Sequence, residues 1–378
     1  MSKLFPTYAR YPFDIVSGHD CYLTDDHDNT YLDFTSGIGV CNLGYSNAAV
    51  QASVAEQAQK IWHTSNLYQS QLQEQVATLL VGDADKLVFF CNSGTEANEA
   101  ALKLARKASG KSAVLAFSDS FHGRTYGALS MTDNPAIQVG FGPLVPDIRF
   151  APYNDAAALT QITADLAAVI LEVVQGEGGV NPASSEWLHQ VAAKCKQEQV
   201  LLIIDEVQTG NGRTGQLFAY QNYGLQPDIV TTAKGLANGL PVGALIGNAD
   251  LASAFTPGSH GTTFGGNKLA MAAAKAVLTQ LTPAFLAQVQ AKAAYLEQLL
   301  QTEIAPLPQV TGITGLGLMQ GIHLNVAVGP VVTALQHAQL LTLSAKHDTL
   351  RLLPPLTITE EQLAQGVATI KQVLQPGL

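Results

Sequence analysis

The sequence predicts an α/β protein whose main domain holds a mostly parallel sheet covered by helices. Short apolar segments alternate with Ala- and Leu-rich helical segments over most of the 378 residues. Several apolar segments are hydrophobic at nearly every position, which is typical of strands buried on both faces. After Lys268, two long helical segments precede a shorter mixed region. We therefore predict a large domain over residues 48–272 and a smaller α/β domain formed by residues 1–47 and 273–378.

The elements follow from local composition, taken in chain order. Two short strands are predicted at residues 21–24 and 30–34, and helical spacing predicts helices at residues 48–61 and 71–80. Apolar runs predict the large-domain strands at residues 87–91, 113–117, 168–171, 200–204, 229–232 and 244–247. The later region is predicted to contain helices at residues 268–281, 283–303, 331–346 and 359–374, and strands at residues 318–324 and 350–353.

Composition favours a folded protein with a large interior. Hydrophobic residues make up 47% of the chain and charged residues 13%, against roughly 25% charged residues in typical proteins. This low charge fraction also suggests a buried subunit interface. The formal net charge is −10 and no basic block is present, which argues against binding to nucleic acid or to an acidic membrane.

Cysteine usage and the N-terminal sequence predict a soluble, cytoplasmic protein. Four widely spaced cysteines match no zinc or redox spacing, so we expect free thiols at Cys21, Cys41, Cys91 and Cys195. The opening MSKLFPTYARYPFD lacks the apolar core of a signal peptide, and no run of about 18 apolar residues predicts a membrane span. The histidines show no H-E-x-x-H spacing, so no metal site is predicted.

The most informative stretch places Asp205 and Lys234 just after two predicted strands. In open α/β sheets, ligands bind outside the carboxyl ends of the strands. An ionised Asp at the end of a buried strand costs free energy unless a charge or a hydrogen-bond donor meets it. From this stretch alone, two interpretations stay open: a reactive site, or a buried ion pair between the two side chains.

A second feature follows the predicted strand at residues 87–91. There the sequence Asn-Ser-Gly-Thr-Glu-Ala-Asn-Glu-Ala-Ala (92–101) leads from a strand into a helix. The free amides and positive dipole end of such a helix bind anions readily. An ordinary Ser/Thr cap without a ligand is the alternative.

Two further motifs point to nucleotide binding and are weak. Residues 210–215 fit G-x-G-x-x-G, but several residues separate them from the preceding strand and no clear helix follows. Residues 201–206 resemble the apolar strand with Asp that holds magnesium in ATPases. The only candidate phosphate loop, at residues 110–112, lacks its first glycine and follows a helix instead of a strand. An ATPase is kept as the alternative of a different class.

Six segments in one order resemble the class III pyridoxal-phosphate aminotransferases. They are Ser93-Gly-Thr-Glu-Ala-Asn-Glu, Phe121-His-Gly-Arg124, Glu177 in Gln-Gly-Glu-Gly-Gly, Asp205-Glu-Val-Gln208, Lys234, and His260-Gly-Thr-Thr-Phe-Gly-Gly-Asn267. The resemblance extends from residue 8 to residue 355. It implies the fold type I architecture of pyridoxal-phosphate enzymes and a homodimer with shared active sites. The segment at residues 63–68 and the block at residues 205–244 favour the branch that acts on N2-acetyl-L-ornithine.

The resemblance implies a cofactor-binding set around pyridoxal 5'-phosphate. Lys234 would hold the cofactor as a Schiff base and then move the substrate proton. Asp205 would pair with the pyridine nitrogen, so that the ring accepts electrons. The rest of the implied set is Gly94 and Thr95 on the phosphate, Phe121 stacked on the ring, Gln208 on the phenolic oxygen, Glu206 and Val207 beside them, and Thr263 reaching the phosphate across the dimer interface.

Four residues are implied to bind the two substrates, an amino donor and 2-oxoglutarate. Arg351 would bind the α-carboxylate of glutamate, and Glu177 would neutralise Arg351 when the other substrate is present. Arg124 would take the distant carboxylate and Thr262 would touch the substrate. The expected donor is acetylornithine in arginine biosynthesis, with ornithine, succinylornithine or 4-aminobutyrate as alternatives. Tyr45-Ser-Asn47 departs from the family pattern near the site entrance, which leaves the donor open.

Overall fold

The computed structural model describes residues 3–375. The strands in chain order are β1 Ile15–His19, β2 Tyr22–Asp25, β3 Thr30–Asp33, β4 Lys86–Cys91, β5 Ala113–Phe117, β6 Ile148–Ala151, β7 Leu166–Leu171, β8 Val174–Gln175, β9 Asn181–Pro182, β10 Leu201–Asp205, β11 Ile229–Thr232, β12 Gly243–Asn248, β13 Val310–Leu316, β14 Met319–Leu324, β15 Leu340–Leu341, β16 Leu343–Ala345 and β17 Thr349–Leu352.

The longer α-helices are α1 Ala48–Ala58, α2 Gln71–Val81, α3 Gly94–Ser109, α4 Ser185–Glu198, α5 Lys268–Gln280, α6 Pro283–Leu299, α7 Val328–His337 and α8 Glu360–Leu374. Shorter helical turns include Tyr126–Ser130 and Lys234–Ala237, and a π-helical turn, Leu300–Ile304, continues α6. No single helix within the described chain is long and apolar enough to span a membrane. Only the pair α5 plus Pro283–Ile304 has a suitable length and composition, and it is bent by 73° at its break.

A seven-stranded sheet forms the centre of the large domain, in the order β4-β12-β11-β10-β7-β5-β6. Strand β10 is parallel to both of its neighbours, with Ile203 opposite Ile170 of β7 and Ile229 of β11. Only β12 runs antiparallel to the strands beside it. The predicted α/β fold with a mostly parallel sheet is confirmed, and the carboxyl ends of β10 and β11 lie at the same edge.

Helix α3 packs on this sheet with the face that the sequence predicts. Its fully or nearly fully buried residues include Ala97, Ala100, Ala101, Leu104 and Ala105. They form one apolar cluster with strand residues such as Ile170, Ile203 and Ile229. Small side chains let the helix lie close to the sheet, and Ser93 Oγ caps its first turn by accepting from the Glu96 amide at 3.3 Å. The strand, cap and packed face together fix where the helix begins.

The remaining sheets join the two ends of the chain. One sheet has the order β13-β14-β17-β16, and another has the order β1-β2-β3-β15. In the second, β3 pairs in parallel with β15, so Leu32 lies opposite Leu340. This pairing joins segments near the two ends of the chain. The division into residues 48–272 and residues 1–47 with 273–378 stays a prediction, and residues 1–2 and 376–378 lie outside the described part.

The helix predicted at residues 331–346 is wrong in its second half. Helix α7 ends at His337, and the following residues form β15 and β16. Gln339 has φ +59, a left-handed conformation that does not continue a helix. The apolar residues Leu340 and Leu341 then pair with β3.

The sequence did not predict strands β1, β6 and β13 or helix α4. Two interior glycines weaken the strand pattern of β13, and the exposed β1 lacks apolar alternation.

The glycine-rich residues 210–215 form a structural loop around a buried arginine. Gly212 has φ +89 and Gly215 has φ +82, conformations that favour glycine. Between them, Arg213 is fully buried. Its guanidinium donates to the carbonyl oxygens of Leu318 and Pro354 and to Asn42 Oδ1. Residues 210–215 therefore match G-x-G-x-x-G because their glycines form the loop around Arg213, and the side chain of Arg213 joins three segments of the chain.

Candidate active site

A cavity of about 430 Å³ opens at the carboxyl ends of β10 and β11, next to the N-terminus of α3. Most of the predicted site residues line it: Gly94, Thr95, Phe121, Arg124, Asp205, Val207, Gln208 and Lys234. These residues come from four different segments of the sequence. The volume lies within the range that is typical for small-ligand sites.

Asp205 and Lys234 line the same cavity without pairing. Among the described residues, no salt bridge joins the two side chains. Asp205 Oδ2 accepts from His122 Nδ1 and from Asn98 Nδ2, each at 2.7 Å, and Oδ1 accepts from the Val207 amide at 2.9 Å. The buried ion-pair interpretation is therefore wrong, because the carboxylate has its own donors.

His122 was not predicted as a site residue, although it sits inside the Phe-His-Gly-Arg segment. It is fully buried, and burial by itself would lower its pKa. The hydrogen bond and charge of Asp205 outweigh burial and raise the pKa of His122. Its other nitrogen, Nε2, has no hydrogen-bond partner within residues 3–375. Asp205 thus contacts the His122 imidazole and also lines the cavity.

Asn98 is the second residue that fixes Asp205. It lies on α3, and its amide also donates to the His122 carbonyl at 2.8 Å. Thr231 of β11 donates to Asn98 Oδ1 at 2.7 Å. Asn98 was not predicted as a site residue, although it lies in the Ser-Gly-Thr-Glu-Ala-Asn-Glu segment and one helical turn into α3. The network holds the carboxylate rigidly at the strand end.

Lys234 begins a short helical turn directly after β11. Its backbone has φ +43, an uncommon conformation for a residue with a side chain. Burial and the nearby Arg351 charge lower its pKa, while the carboxylates of Glu177 and Asp205 oppose this change. In the described chain, its amine has neither a hydrogen bond nor an ion pair. A lowered pKa increases the fraction of neutral amine, which is the nucleophilic form.

The N-terminus of α3 forms one wall of the cavity. Thr95 Oγ1 accepts from the amides of Arg124 and Thr125 at 3.2 Å. A Cβ atom at Gly94 would lie 2.6 Å from Val207 Cγ1, so glycine is required where α3 meets the loop after β10. The free amides of the first turn suit an anionic group.

Phe121 and Arg124 lie together on another wall. The Arg124 guanidinium lies 5.7 Å from the centre of the Phe121 ring, within range of a cation–π interaction. The Phe121 amide donates to Glu172 Oε2 at 3.1 Å. Glu172, also not predicted, lines the cavity, and burial raises its pKa to about 7. It holds the Phe121 backbone in place.

Arg351 and Glu177 form a close ion pair beside the cavity. Arg351 Nη1 lies 2.6 Å from Glu177 Oε1, and it also donates to Gln208 Oε1 at 3.0 Å. Arg351 is only 3% exposed, and among the described residues its buried Nε has no hydrogen-bond partner. Burial alone would raise the pKa of Glu177, but the charge and hydrogen bond of Arg351 lower it. Arg351 therefore favours the charged form of Glu177.

Besides the Glu177–Arg351 pair, which lies beside the cavity, three predicted residues do not line it. Glu206 points away from it: its carboxylate accepts from Thr209 Oγ1 and from the Tyr220 amide, because the chain turns directly after β10. Thr262 Oγ1 accepts from Asn92 Nδ2 and from the Gly265 amide, both at 3.2 Å. Thr263 is exposed. Within one chain, the structure does not bring these residues to the site.

The sequence matches a known protein family over nearly its whole length. The sequence model of the family described as aminotransferase class-III matches residues 6–374, and the chain belongs to this family. The ATPase alternative is therefore wrong. The Gly110 that begins the candidate phosphate loop ends α3 instead, with φ +70.

Several known aminotransferases are similar to this chain over nearly its whole length. An acetylornithine aminotransferase of Lactiplantibacillus plantarum is 61% identical over 99% of this chain and 97% of its own length. That of Bacillus subtilis is 51% identical over 99% of this chain and 98% of its own. Among solved structures, an ornithine aminotransferase from Toxoplasma gondii has a TM-score of 0.94 at 30% identity, covering 98% of this chain and 92% of that one. An N-acetylornithine aminotransferase from Stenotrophomonas maltophilia has a TM-score of 0.84 at 33% identity, covering 97% and 96%.

Proposed function

We propose that this protein transfers the side-chain amino group of N2-acetyl-L-ornithine to 2-oxoglutarate, giving N-acetyl-L-glutamate 5-semialdehyde and L-glutamate, in arginine biosynthesis. The observation that carries the proposal is the Arg351–Glu177 ion pair beside the unpaired Lys234. The names of relatives at 61% and 51% identity support acetylornithine as the donor. Ornithine is the first alternative donor, since a protein of similar structure is named for it.

The residues around the cavity fit pyridoxal 5'-phosphate. The helix N-terminus at Gly94 and Thr95 suits a phosphate, Phe121 offers a ring face, and Asp205 offers a carboxylate at the end of β10. When bound, this cofactor would supply an electron sink for the carbanion at the substrate carbon. The carboxylate of Asp205, fixed by His122 and Asn98, would keep the pyridine nitrogen protonated. Gln208 lines the same cavity and would meet the phenolic oxygen.

Lys234 would act first as a nucleophile and then as a proton carrier. Its lowered pKa supplies a neutral amine at lower pH than an ordinary lysine does. Once the substrate amine has replaced Lys234 on the cofactor, the free Lys234 amine would accept a proton from the substrate carbon that carries the amino group and would then release it. No other amine lines the cavity in the described chain. Val207 packs against Gly94 and narrows the cavity on one side.

Arg351 and Glu177 would allow one site to accept two different substrates. Glutamate presents an α-carboxylate, which binds a guanidinium well in a two-pronged geometry. Glu177 would have to leave Arg351 for this to happen. With acetylornithine, which reacts through its side-chain amine, Glu177 would stay on Arg351. The exposed Arg124, at the cavity wall, would hold the distant carboxylate of either substrate.

A homodimer is part of the proposal. Thr262 and Thr263 do not reach the cavity of their own chain. We infer that Thr263 reaches the phosphate of the partner subunit and that Thr262 lies near its substrate. An exposed apolar set near these residues would then be covered: Trp62, Leu67, Tyr68 and Phe264. We also propose a cytoplasmic location, in line with the four free cysteines.

A donor screen tests the function directly. Purified protein is incubated with pyridoxal phosphate and 2-oxoglutarate, and glutamate formation is measured with acetylornithine, ornithine, succinylornithine and 4-aminobutyrate. Acetylornithine should give the highest kcat/KM. Lys234→Ala should lose turnover and still bind the cofactor non-covalently. A wild-type protein that shows no visible cofactor absorbance and forms no glutamate from any donor would contradict the proposal.

A further inference from the structure

A second ion pair lies next to the Glu177–Arg351 pair. Lys346, in the turn between β16 and β17, extends its amine to Asp119 Oδ1 at 2.6 Å and to the Asp133 carbonyl at 3.0 Å. His347 Nε2 lies 3.0 Å from the other oxygen of Asp119. Asp119 belongs to residues 48–272, whereas Lys346 and His347 belong to the C-terminal part. We call these three residues the Asp119 latch.

The loop that carries Glu177 lies between the two sides of the latch. The Lys346 amide donates to the Glu177 carbonyl at 3.1 Å. A Cβ atom at Gly178 would lie 2.7 Å from the Asp119 carbonyl oxygen, and one at Gly179 would lie 3.3 Å from that of Lys346. The loop at Gly178 and Gly179 therefore packs closely against Asp119 and Lys346. A shift of the Glu177 backbone would disturb this packing and the hydrogen bond from the Lys346 amide.

The hairpin of the latch also carries Arg351. Strands β16 and β17 pair so that Leu343 lies opposite Arg351. Arg351 Nη2 approaches the Ser344 carbonyl at 3.5 Å. The Lys346–Asp119 ion pair thus fixes the hairpin turn against the large sheet, and with it both members of the Glu177–Arg351 pair.

The segment that carries Asp119, on the other side of the latch, leads into the cavity wall. Asp119 is two residues before Phe121, and its amide donates to Asp133 Oδ2 at 3.1 Å. Gln175 donates to the Ser118 carbonyl at 2.7 Å, so the same segment also holds the start of the Glu177 loop. Hydrogen bonds to neighbouring segments therefore hold the Asp119 side of the latch, in addition to its ion pair with Lys346.

We propose that Lys346 and Asp119 are positioning residues that favour the closed Glu177–Arg351 pair and so set the balance between the two half-reactions. This inference rests on the proposed function. Glu177 must leave Arg351 to admit the α-carboxylate of glutamate, and it stays for the other donor. If the loop that carries Glu177 is held less firmly, Glu177 can leave Arg351 more easily. Loss of the latch should therefore favour glutamate over acetylornithine.

The test measures both half-reactions in the holoenzyme by single-turnover kinetics, as the ratio of kcat/KM for glutamate to kcat/KM for acetylornithine. Lys346→Met keeps the backbone amide and the side-chain length but removes the charge. The ratio should rise roughly two- to fivefold, the effect expected of a partly exposed ion pair. Asp119→Asn should do the same, and the double variant should add little further. Lys346→Arg should restore the wild-type ratio.

Lys371→Met is the matched control. It breaks the Lys371–Glu303 ion pair, also 2.6 Å long and similarly exposed, away from Glu177. Its ratio should equal that of wild type. An unchanged ratio in folded Lys346→Met and Asp119→Asn would overturn the inference, as would an equal change in the control or in Lys346→Arg. If one variant fails to fold in a thermal unfolding assay, the other decides.

The two proposals fail in different ways. A wild-type enzyme that reacts with neither substrate contradicts the proposed function. If the wild-type enzyme reacts with both substrates but the ratio does not change when the latch is removed, only the inference about Lys346 is contradicted. If the screen identifies ornithine as the donor, the ratio is taken against ornithine with the same expected direction.

Discussion

The Nδ1 atom of His122 lies 2.7 Å from Oδ2 of Asp205, and both side chains are buried. His122→Phe removes this hydrogen-bond donor from the carboxylate. Because a hydrogen bond to a charged group contributes about 1.5–3 kcal/mol, cofactor affinity should fall roughly 10- to 100-fold. Titration of the apoenzyme with pyridoxal phosphate, followed by absorbance, measures the change. The exposed His189 on α4 provides the control, since His189→Phe should leave affinity unchanged; equal affinities in all three proteins would contradict the role of His122.

The pH dependence of cofactor capture should report the pKa of Lys234. Its neutral amine reacts, and burial lowers its pKa, so the rate of covalent capture should rise with pH and level off below the usual lysine value of roughly 10.4. The Glu177 carboxylate favours the charged amine. Glu177→Gln should therefore move the midpoint to still lower pH. Stopped-flow absorbance over a pH series measures both midpoints, and an upward shift in Glu177→Gln would refute the charge assignment.

Glu177→Ala should change the balance of the two half-reactions. Without the carboxylate, Arg351 is always free to bind an α-carboxylate, so glutamate should react at least as well as before. Acetylornithine should lose efficiency, by roughly tenfold, because a buried unpaired guanidinium then faces it. Single-turnover measurements with each substrate test this. Equal losses in both half-reactions would argue against the switch.

The buried Glu206 should make folding stability depend on pH. Burial raises its pKa from 4.5 to about 7. The folded state then binds a proton that the unfolded state has released, so this contribution to stability falls as pH rises between those values. Glu206→Gln should raise the free energy of unfolding at pH 8 by roughly 1–3 kcal/mol, with little effect at pH 4. Urea unfolding at both pH values measures the difference, and a variant that is less stable at pH 8 would contradict this account.

Arg213→Met should destabilise the fold without touching the cavity. The substitution leaves the carbonyls of Leu318 and Pro354 and Asn42 Oδ1 without their donor. Each unsatisfied buried group costs about 1–3 kcal/mol, so we expect a total of about 3 kcal/mol or more. Arg149→Met, which breaks an exposed pair with Asp165, should cost far less, because solvent screens exposed ion pairs. Thermal and urea unfolding of both variants would show the difference, and similar losses would contradict the role assigned to Arg213.

The sequence by itself determined the sheet and most of the cavity wall. Buried apolar runs specify β5 and β11 to the residue, since a strand covered on both faces tolerates few polar side chains. Asp205 and Lys234 follow two such strands, and parallel strands end at the same edge. The resemblance to the class III aminotransferases supplied Phe121, Arg124, Glu177 and Arg351 as expected site residues.

Only the tertiary structure decided which groups meet. His122 and Asn98 bind Asp205 from positions 83 and 107 residues away, a relationship that no local pattern encodes. Leu340 and Leu341 leave a helical pattern because β3 offers unpaired backbone groups. The latch between Asp119 and Lys346 spans 227 residues of sequence. Local composition sets which segments are strands or helices, whereas distant charges and hydrogen bonds are matched only when the folded chain brings them together.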